Sequence, residues 1–255
     1  MSKLPKEYQF IDLSDYGRPI AKIIANSLKN TSITPIHVTI GFVISGLLAI
    51  FCILYHYYWA AALFLVLKSI LDAADGELAR IKNQPSYTGR YLDSVSDIIL
   101  NLLIMVAIWY VTEGSIWYTI LAFIGIQLQG TLYNYYYVIL RNKFNGDTTS
   151  RIFENDPPKA MKGEKQSTVN FLFGLYNIFY GTFDRIIYGL DRNAVDSQNL
   201  PNWLMTAVST FGLGFQLLLI GIMFMFKLDH YIIPFFIGYS SFIFLFINIR
   251  KLLNR

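Results

Sequence analysis

Six long apolar runs dominate this chain, and they constrain its fold more than any other feature. Each is about 20 residues long, the length that a helix needs to cross ~30 Å of hydrocarbon. The composition agrees, because only 15% of the residues are charged, against about 25% in soluble domains. The sequence therefore predicts an all-α, polytopic membrane protein with six transmembrane helices. They are expected near residues 36–56, 59–81, 90–112, 115–139, 203–226 and 231–250.

The basic residues lie almost entirely on one side of these predicted spans. Of the 21 Lys and Arg residues, 19 fall on the side that holds both termini, and only Lys227 falls on the opposite side. The positive-inside rule assigns the richer side to the cytoplasm. The sequence thus predicts cytoplasmic termini, and the net charge of +4 reflects topology rather than nucleic-acid binding.

Two amphipathic segments are predicted to lie on the cytoplasmic membrane surface. The first is a helix over residues 8–30. The second is an interfacial helix over residues 168–190, where only Asp184 and Arg185 interrupt the apolar pattern. If this second segment crossed the membrane, the basic C-terminus would lie outside, which the charge rule disfavours. Between the spans and this helix, residues 142–166 are polar and aperiodic, so a mobile loop is expected there.

The whole chain is predicted to form a single membrane-embedded domain, residues 1–255. Residues 36–139 would hold the first four spans and the active site, residues 142–200 a cytoplasmic loop with the interfacial helix, and residues 203–250 the last two spans. Because the first 30 or so residues are polar, no cleavable signal peptide is expected.

The number and spacing of cysteines and histidines predict no disulfide framework and no metal site rich in either residue. Cys52 is the only cysteine, so the chain has no internal disulfide and no cysteine-based metal site. The three histidines, His37, His56 and His230, are far apart in the sequence.

Polar residues that are unusual for a membrane span cluster where the second span ends and the third begins. Residues three or four positions apart share one face of a helix. The short link, residues 81–87, contains Pro85 and folds the two helices antiparallel, so their acidic faces converge. The second span contributes Asp72, Asp75, Gly76, Ala79 and Arg80, and the third contributes Gly89, Asp93 and Asp97.

Four aspartates inside a membrane need a strong compensating charge. Each costs ~2.5–3.5 kcal/mol on insertion scales, and Arg80 alone cannot neutralise four carboxylates. Oxygen-only ligands suit Mg²⁺ or Mn²⁺ rather than Zn²⁺. Two such ions ~3.5–4 Å apart form the usual clamp for in-line displacement at phosphorus. The small residues Gly76, Ala79 and Gly89 leave room for a bulky ligand such as a nucleotide.

The complete pattern resembles the signature of the CDP-alcohol phosphotransferases, also called CDP-alcohol phosphatidyltransferases. It reads Asp72-x-x-Asp75-Gly76-x-x-Ala79-Arg80, then eight residues, then Gly89-x-x-x-Asp93-x-x-x-Asp97. The resemblance extends over roughly residues 8–252. It implies that Asp72, Asp75 and Asp93 are metal ligands. Asp97 would complete the shell of a second metal and act as general base on the acceptor hydroxyl. The resemblance also implies that the cytidine diphosphate site is lined by Gly76, Ala79, Arg80 and Gly89.

The activity implied by this resemblance is that of a phosphatidyltransferase in phospholipid synthesis. Such an enzyme transfers a phosphatidyl group from a CDP-linked lipid to a small alcohol, with two Mg²⁺ or Mn²⁺ ions, and releases CMP. Ile98 stands where members that use phosphorylated acceptors often carry a basic residue, so a phosphorylated acceptor is less expected. A homodimer is also expected, both from the resemblance and from small residues in the fourth span that permit close helix approach. These are Ala122, Gly125 and Gly130.

Three other functions compete with this one. In the first, the reversed assignment, the two substrates exchange roles: a CDP-linked small alcohol is the donor and a lipid is the acceptor. An aspartate-lined cation transporter is a rival of a different class, but transporters often show repeats that this sequence lacks. A membrane prenyltransferase also uses acidic metal motifs, although those lie farther apart in sequence than Asp72 and Asp97.

Three polar residues near the aspartates remain open to more than one interpretation. Lys68, one turn before Asp72, is equally compatible with a phosphate ligand and with a counter-ion for the acidic cluster. Gln127 and Gln129, in the fourth span, are candidates for an acceptor pocket.

Overall fold

The computed structural model describes Leu4, residues 8–144, Glu154, residues 156–197 and residues 199–254. Within these residues the chain forms eleven α-helices and no strand, so the expected all-α class is confirmed. The basic residues Lys3, Lys6, Arg151 and Arg255 lie outside the described residues, as do residues 145–153 and Asn155 of the predicted loop. The helices are α1 (Arg18–Leu28), α2 (Pro35–Leu54), α3 (Tyr58–Ile81), α4 (Tyr87–Thr112), α5 (Ile116–Lys143), α6 (Gln166–Phe179), α7 (Gly181–Leu190), α8 (Asn202–Val208), α9 (Leu213–Met225), α10 (Asp229–Tyr239) and α11 (Phe242–Leu253).

Three helical segments of the described chain are long and apolar enough to cross a membrane. They are α2, α4 and the run Asp229–Leu253, which comprises α10 and α11. A bent pair, Asn202–Phe211 and Leu213–Met225, would make a fourth span. These three to four candidate spans indicate an integral membrane protein. Helices α3 and α5, with 24 and 28 residues, are long enough to cross as well. They carry more polar residues, α3 through its lysine and aspartates and α5 through its glutamines and tyrosines.

The predicted fifth span, residues 203–226, is not straight in the structure. Its two halves meet at an angle of 55° around Gly212. The segment before α1 inserts into this break, because the Leu13 amide donates to Ser209 Oγ at 2.9 Å and the Gly214 amide donates to Ser14 Oγ at 3.2 Å. A Cβ atom at Gly212 would lie only 2.2 Å from Ser14 Oγ. The bend therefore accommodates the N-terminal segment.

The predicted interfacial helix, residues 168–190, is divided into α6 and α7 at Tyr180. The Tyr180 hydroxyl donates a hydrogen bond to the Ser94 carbonyl of α4 at 3.0 Å, which anchors the break between the two helices. The buried residues of α6 are Val169, Leu172 and Phe173, which pack with Tyr91 of α4. The pair of helices therefore covers one side of α4.

Helix α1 is shorter than the predicted helix over residues 8–30 and begins at Arg18. It packs on α3 through Ala21 and Ala25, which are fully buried, whereas Ile20 and Ile23 are more than half exposed. The small residues let the two helices approach closely.

The turn between α3 and α4 positions the acidic residues. Asn83 adopts a left-handed backbone with φ of 51°, which asparagine tolerates better than most residues. Ser86 then caps α4 by accepting the Gly89 amide at 2.8 Å. Helix α2 packs against both α3 and α4. The largest apolar core lies between α2, α3, α4, α5, α9 and α10, at the end of the bundle farther from this turn.

The small residues of α5 are occupied by contacts within the chain. Ala122 is fully buried in the apolar core, and a Cβ atom at Gly125 would lie 2.1 Å from the Ser240 hydroxyl oxygen. Gly130 faces the α8–α9 connection, with its Cβ position 3.9 Å from the Phe211 carbonyl oxygen. These positions therefore serve packing inside one chain, and the expected homodimer rests on the family resemblance alone.

Candidate active site

A polar cavity of about 440 Å³ opens among the helices next to the α3–α4 turn. Its walls come from the segment before α1 and from α3, α4, α5, α6, α7 and the start of α9. Six of the eight signature residues line it: Asp72, Asp75, Gly76, Arg80, Asp93 and Asp97. The two helices that carry the signature thus present most of it to one cavity.

Three of the four aspartates form a compact group. Asp72, Asp75 and Asp93 each offer a carboxylate oxygen, and these oxygens lie within 4.8 Å of one another. Asp72 and Asp75 share a face of α3 because they are three residues apart, and Asp93 reaches them from α4. Such a group is electrostatically unfavourable without a cation, because like charges repel at this distance.

The donor set fits a hard divalent cation. All three groups are carboxylates, which Mg²⁺ and Mn²⁺ accept and Zn²⁺ does not prefer without nitrogen or sulfur ligands. Oδ1 of Asp93 is buried and has no hydrogen-bond partner in the described part of the chain, so it can serve as a metal ligand. These three aspartates are therefore the residues that would hold the cation.

Asp97 lies in the same cavity but has a different partner. Its Oδ1 accepts a hydrogen bond from the Lys68 ammonium, and the two residues form an ion pair. The Lys68 side chain is fully buried, and its ammonium also lies 5.1 Å from the centre of the Phe42 ring. Of the two interpretations of Lys68, the structure favours the counter-ion. Oδ2 of Asp97 accepts no hydrogen bond from the described residues and remains available to a ligand.

Asp75 is held in place by a residue that the signature does not include. Thr39 of α2 donates a hydrogen bond from its hydroxyl to Asp75 Oδ2 at 2.6 Å, and both side chains are buried. No feature of the sequence around Thr39 indicates this role, because the two residues are 36 positions apart and on different helices.

Arg80 belongs to an ion-pair network at the edge of the cavity. Its guanidinium lies 3.1 Å from Glu77, which also accepts a hydrogen bond from Arg18 at 2.7 Å. Arg18 in turn pairs with Asp15. The Arg80 Nε is buried without a hydrogen-bond partner among the described residues, so the side chain retains a donor for a ligand. A Cβ atom at Gly76 would lie 3.5 Å from the same guanidinium, which therefore packs over the glycine.

Ala79 and Gly89 are not among the residues that line the cavity. At Gly89 the structure gives a local reason for the small residue. A Cβ atom there would lie 3.3 Å from Ser86 Oγ, the group that caps α4. Glu164 strengthens the same helix end, because its Oε1 accepts hydrogen bonds from the Ser86 hydroxyl and the Thr88 amide, each at 2.7 Å.

An aromatic wall faces the aspartates from α6 and α7. Tyr176 stacks with Tyr180, with ring centres 5.2 Å apart, and lies 5.2 Å from Tyr91 of α4. Asp184, one turn beyond Tyr180, also lines the cavity. Burial, together with the nearby Glu154 carboxylate, raises the pKa of Asp184 to about 7. This wall therefore carries a carboxyl group that titrates near neutral pH.

Two further residues extend the acidic face of α4 and the polar face of α5. Asn101 lies one turn beyond Asp97, and Gln127 comes from α5; both line the cavity. The i, i+4 spacing of Asp93, Asp97 and Asn101 is the sequence signal that would have found Asn101. Gln129 lies elsewhere, because it bonds to Ser240 and Gln216 in the interior.

Carboxylates that can share a divalent cation, next to an arginine in a polar cavity, are typical of enzymes that act on phosphate groups. A family model described as CDP-alcohol phosphatidyltransferase matches residues 32–226. The chain belongs to this family of transferases, and its three to four candidate spans indicate an integral membrane protein.

One curated relative is similar to part of this chain. Over 65 residues the chain is 46% identical to CDP-diacylglycerol--serine O-phosphatidyltransferase from Bacillus subtilis (strain 168). The matched segment covers 26% of this chain and 37% of the relative.

Proposed function

We propose that the protein transfers the phosphatidyl group of CDP-diacylglycerol to the hydroxyl of L-serine and releases CMP. The observation that carries the proposal is the convergence of Asp72, Asp75 and Asp93 beside Asp97 in one cavity. The choice of acceptor is supported by the similarity to the serine enzyme. Ile98 after the last aspartate supports an acceptor without a phosphate group.

The reaction is an in-line displacement at the phosphorus of the phosphatidyl group. The serine oxygen forms a new bond to this phosphorus, the bond to the CMP oxygen breaks, and CMP leaves with the bonding electrons. Asp97 is proposed to accept the hydroxyl proton through Oδ2, because Lys68 already engages Oδ1. Arg80 is proposed to bind the diphosphate through its guanidinium. A cation held by Asp72, Asp75 and Asp93 would neutralise negative charge on the donor diphosphate.

The membrane arrangement of this enzyme is proposed to have six spans. Helices α3 and α5 would join α2, α4, α8–α9 and α10–α11, since both are long enough and several of their polar groups line the cavity. The distribution of Lys and Arg supports cytoplasmic termini and an active site near the cytoplasmic face. Two ions, with Asp97 in the shell of the second, and a homodimer remain predictions.

Purified protein in detergent is expected to release CMP from CDP-diacylglycerol only when L-serine is present, with phosphatidylserine as the lipid product. The reversed assignment predicts release from CDP-linked ethanolamine or choline with diacylglycerol instead. Each donor and acceptor should be supplied singly and in pairs, with CMP measured by chromatography. CMP release from the second pair and not the first would contradict the proposed donor.

Removal of divalent cations is expected to abolish this turnover. The cluster offers only oxygen ligands, and its three carboxylates repel one another without a cation. The measurement is CMP release after EDTA treatment, followed by addition of Mg²⁺, Mn²⁺ or Zn²⁺. Recovery with Mg²⁺ or Mn²⁺ supports the site, whereas full activity in excess EDTA would contradict it.

A further inference from the structure

Two buried amides in the cavity lack hydrogen-bond partners. Asn101 and Gln127 are only 8% and 6% exposed, and both line the cavity. Neither side chain makes a hydrogen bond with any residue that the structure describes. Two other buried glutamines nearby are satisfied, because Gln216 donates to the Ile126 carbonyl and to Gln129 Oε1 at 3.1 and 3.0 Å.

Unpaired amides at this depth are unfavourable unless water or a ligand in the cavity pairs with them. A buried polar group without a partner loses its hydrogen bonds to water and gains none in return. Nε2 of Gln127 is buried and has no hydrogen-bond partner among the described residues. The pair therefore points to a polar ligand that occupies this end of the cavity.

The position of the pair matches the side from which the acceptor must approach. Along α4, Gly89, Asp93, Asp97 and Asn101 follow one another away from the α3–α4 turn. Arg80, the proposed ligand of the donor diphosphate, lies at the end of α3 next to this turn. In-line displacement requires the attacking oxygen on the side of the phosphorus opposite the leaving CMP. With the diphosphate bound at Arg80, Asp97 and Asn101 would lie on that side of the phosphorus.

We propose that Asn101 and Gln127 bind the acceptor, and that they select a small zwitterionic hydroxy amino acid. This inference rests on the proposed function and adds residues that determine its specificity. Amide NH₂ groups donate to a carboxylate, and amide carbonyl oxygens accept from an ammonium group. The pair carries no net charge, and the nearby Lys68 is already neutralised by Asp97. A phosphorylated alcohol, which needs a basic partner, is therefore disfavoured.

The experiment compares Gln127→Met and Asn101→Leu with the wild-type enzyme. Each change keeps the approximate size of the side chain and removes the amide. The KM for L-serine is expected to rise about tenfold or more, the effect of losing one hydrogen bond to a charged group. Mg²⁺-dependent binding of CMP, measured by titration calorimetry, should stay unchanged. The unfolding temperature should stay equal or rise, since an unpaired buried amide is removed.

Gln129→Met is the matched control for these variants. Gln129 is a buried glutamine on the same helix that is fully paired and does not line the cavity. Its replacement should lower the unfolding temperature and leave the KM for L-serine nearly unchanged. An unchanged acceptor KM in both amide variants, or a parallel loss of CMP binding, would overturn the inference.

Failure of the proposed function can be distinguished from failure of this inference. If the wild-type enzyme does not use L-serine, the proposed acceptor is wrong, and ethanolamine, glycerol and glycerol phosphate are tested in turn. The same comparison of KM is then made with the alcohol that is used. A raised KM for an uncharged or amino alcohol supports the amide pair as the acceptor site and overturns its selection of a zwitterion. Exclusive use of glycerol phosphate, or a KM that the variants do not alter, overturns the inference.

Discussion

Replacing Asp75 by asparagine is expected to abolish both turnover and metal-dependent binding of CMP. Asp75 is buried, and one of its carboxylate oxygens lies within 4.8 Å of oxygens of Asp72 and Asp93, so its charge is part of any cation site there. The loss of turnover should exceed the ~10²–10⁴-fold that a positioned base alone contributes. Titration calorimetry with CMP, with and without Mg²⁺, measures the binding, and CMP release measures the turnover.

The unfolding temperature of the Asp75→Asn variant shows whether activity is lost because the charge is removed or because the protein no longer folds. In EDTA the Asp75→Asn variant should unfold at the same or a higher temperature than the wild type, because one of three clustered negative charges is gone. Thr39→Val is the matched control, since it removes the hydrogen bond at 2.6 Å but keeps the carboxylate. It should weaken metal affinity by about 10–100-fold, as loss of a supporting hydrogen bond does. Wild-type CMP binding by Asp75→Asn would exclude Asp75 from the metal site.

The acidic face could be predicted from the sequence because it depends on local helix geometry. Asp72 and Asp75 are three residues apart, and Asp93 and Asp97 are four apart, so each pair must share a face once the helices form. The link of fewer than ten residues between the helices then leaves few arrangements other than an antiparallel pair. The all-α class could also be predicted, because the length of each apolar run is a local property of the sequence.

Contacts between distant segments could not be predicted in this way. Leu13 and Ser209 are 196 positions apart, and no periodicity indicates that the N-terminal segment inserts at the Gly212 bend. The interfacial segment over residues 168–190 read as one helix because its apolar spacing continues through Tyr180. The break there is anchored by a hydrogen bond from Tyr180 to Ser94, a tertiary contact that overrides the local pattern.

The choice of partner for Lys68 was likewise open in the sequence. Lys68 stands one turn before Asp72 on α3, so spacing alone pairs these two residues. In the structure its ammonium reaches across to Asp97 on α4 instead. Such a choice depends on the relative rotation of α3 and α4, both of which pack against α2.

Replacing Asp97 by asparagine is expected to reduce turnover by ~10²–10⁴-fold, the contribution of a positioned base. Metal-dependent binding of CMP should persist, because Asp72, Asp75 and Asp93 remain. The variant also leaves the fully buried Lys68 without its carboxylate partner. An uncompensated buried charge costs about 3–5 kcal/mol, so a lower unfolding temperature is expected as well. A single variant therefore mixes the loss of a base with the loss of an ion pair.

The double variant Lys68→Met/Asp97→Asn separates these two effects. Removing both charges should restore much of the unfolding temperature, because a neutral pair replaces an unpaired ammonium. Turnover should stay as low as in Asp97→Asn, since the proton acceptor is still missing. If turnover returned together with stability, Asp97 would serve only to neutralise Lys68, and the base would lie elsewhere. If Asp97→Asn lost CMP binding as completely as Asp75→Asn, Asp97 would instead be a ligand of the metal site.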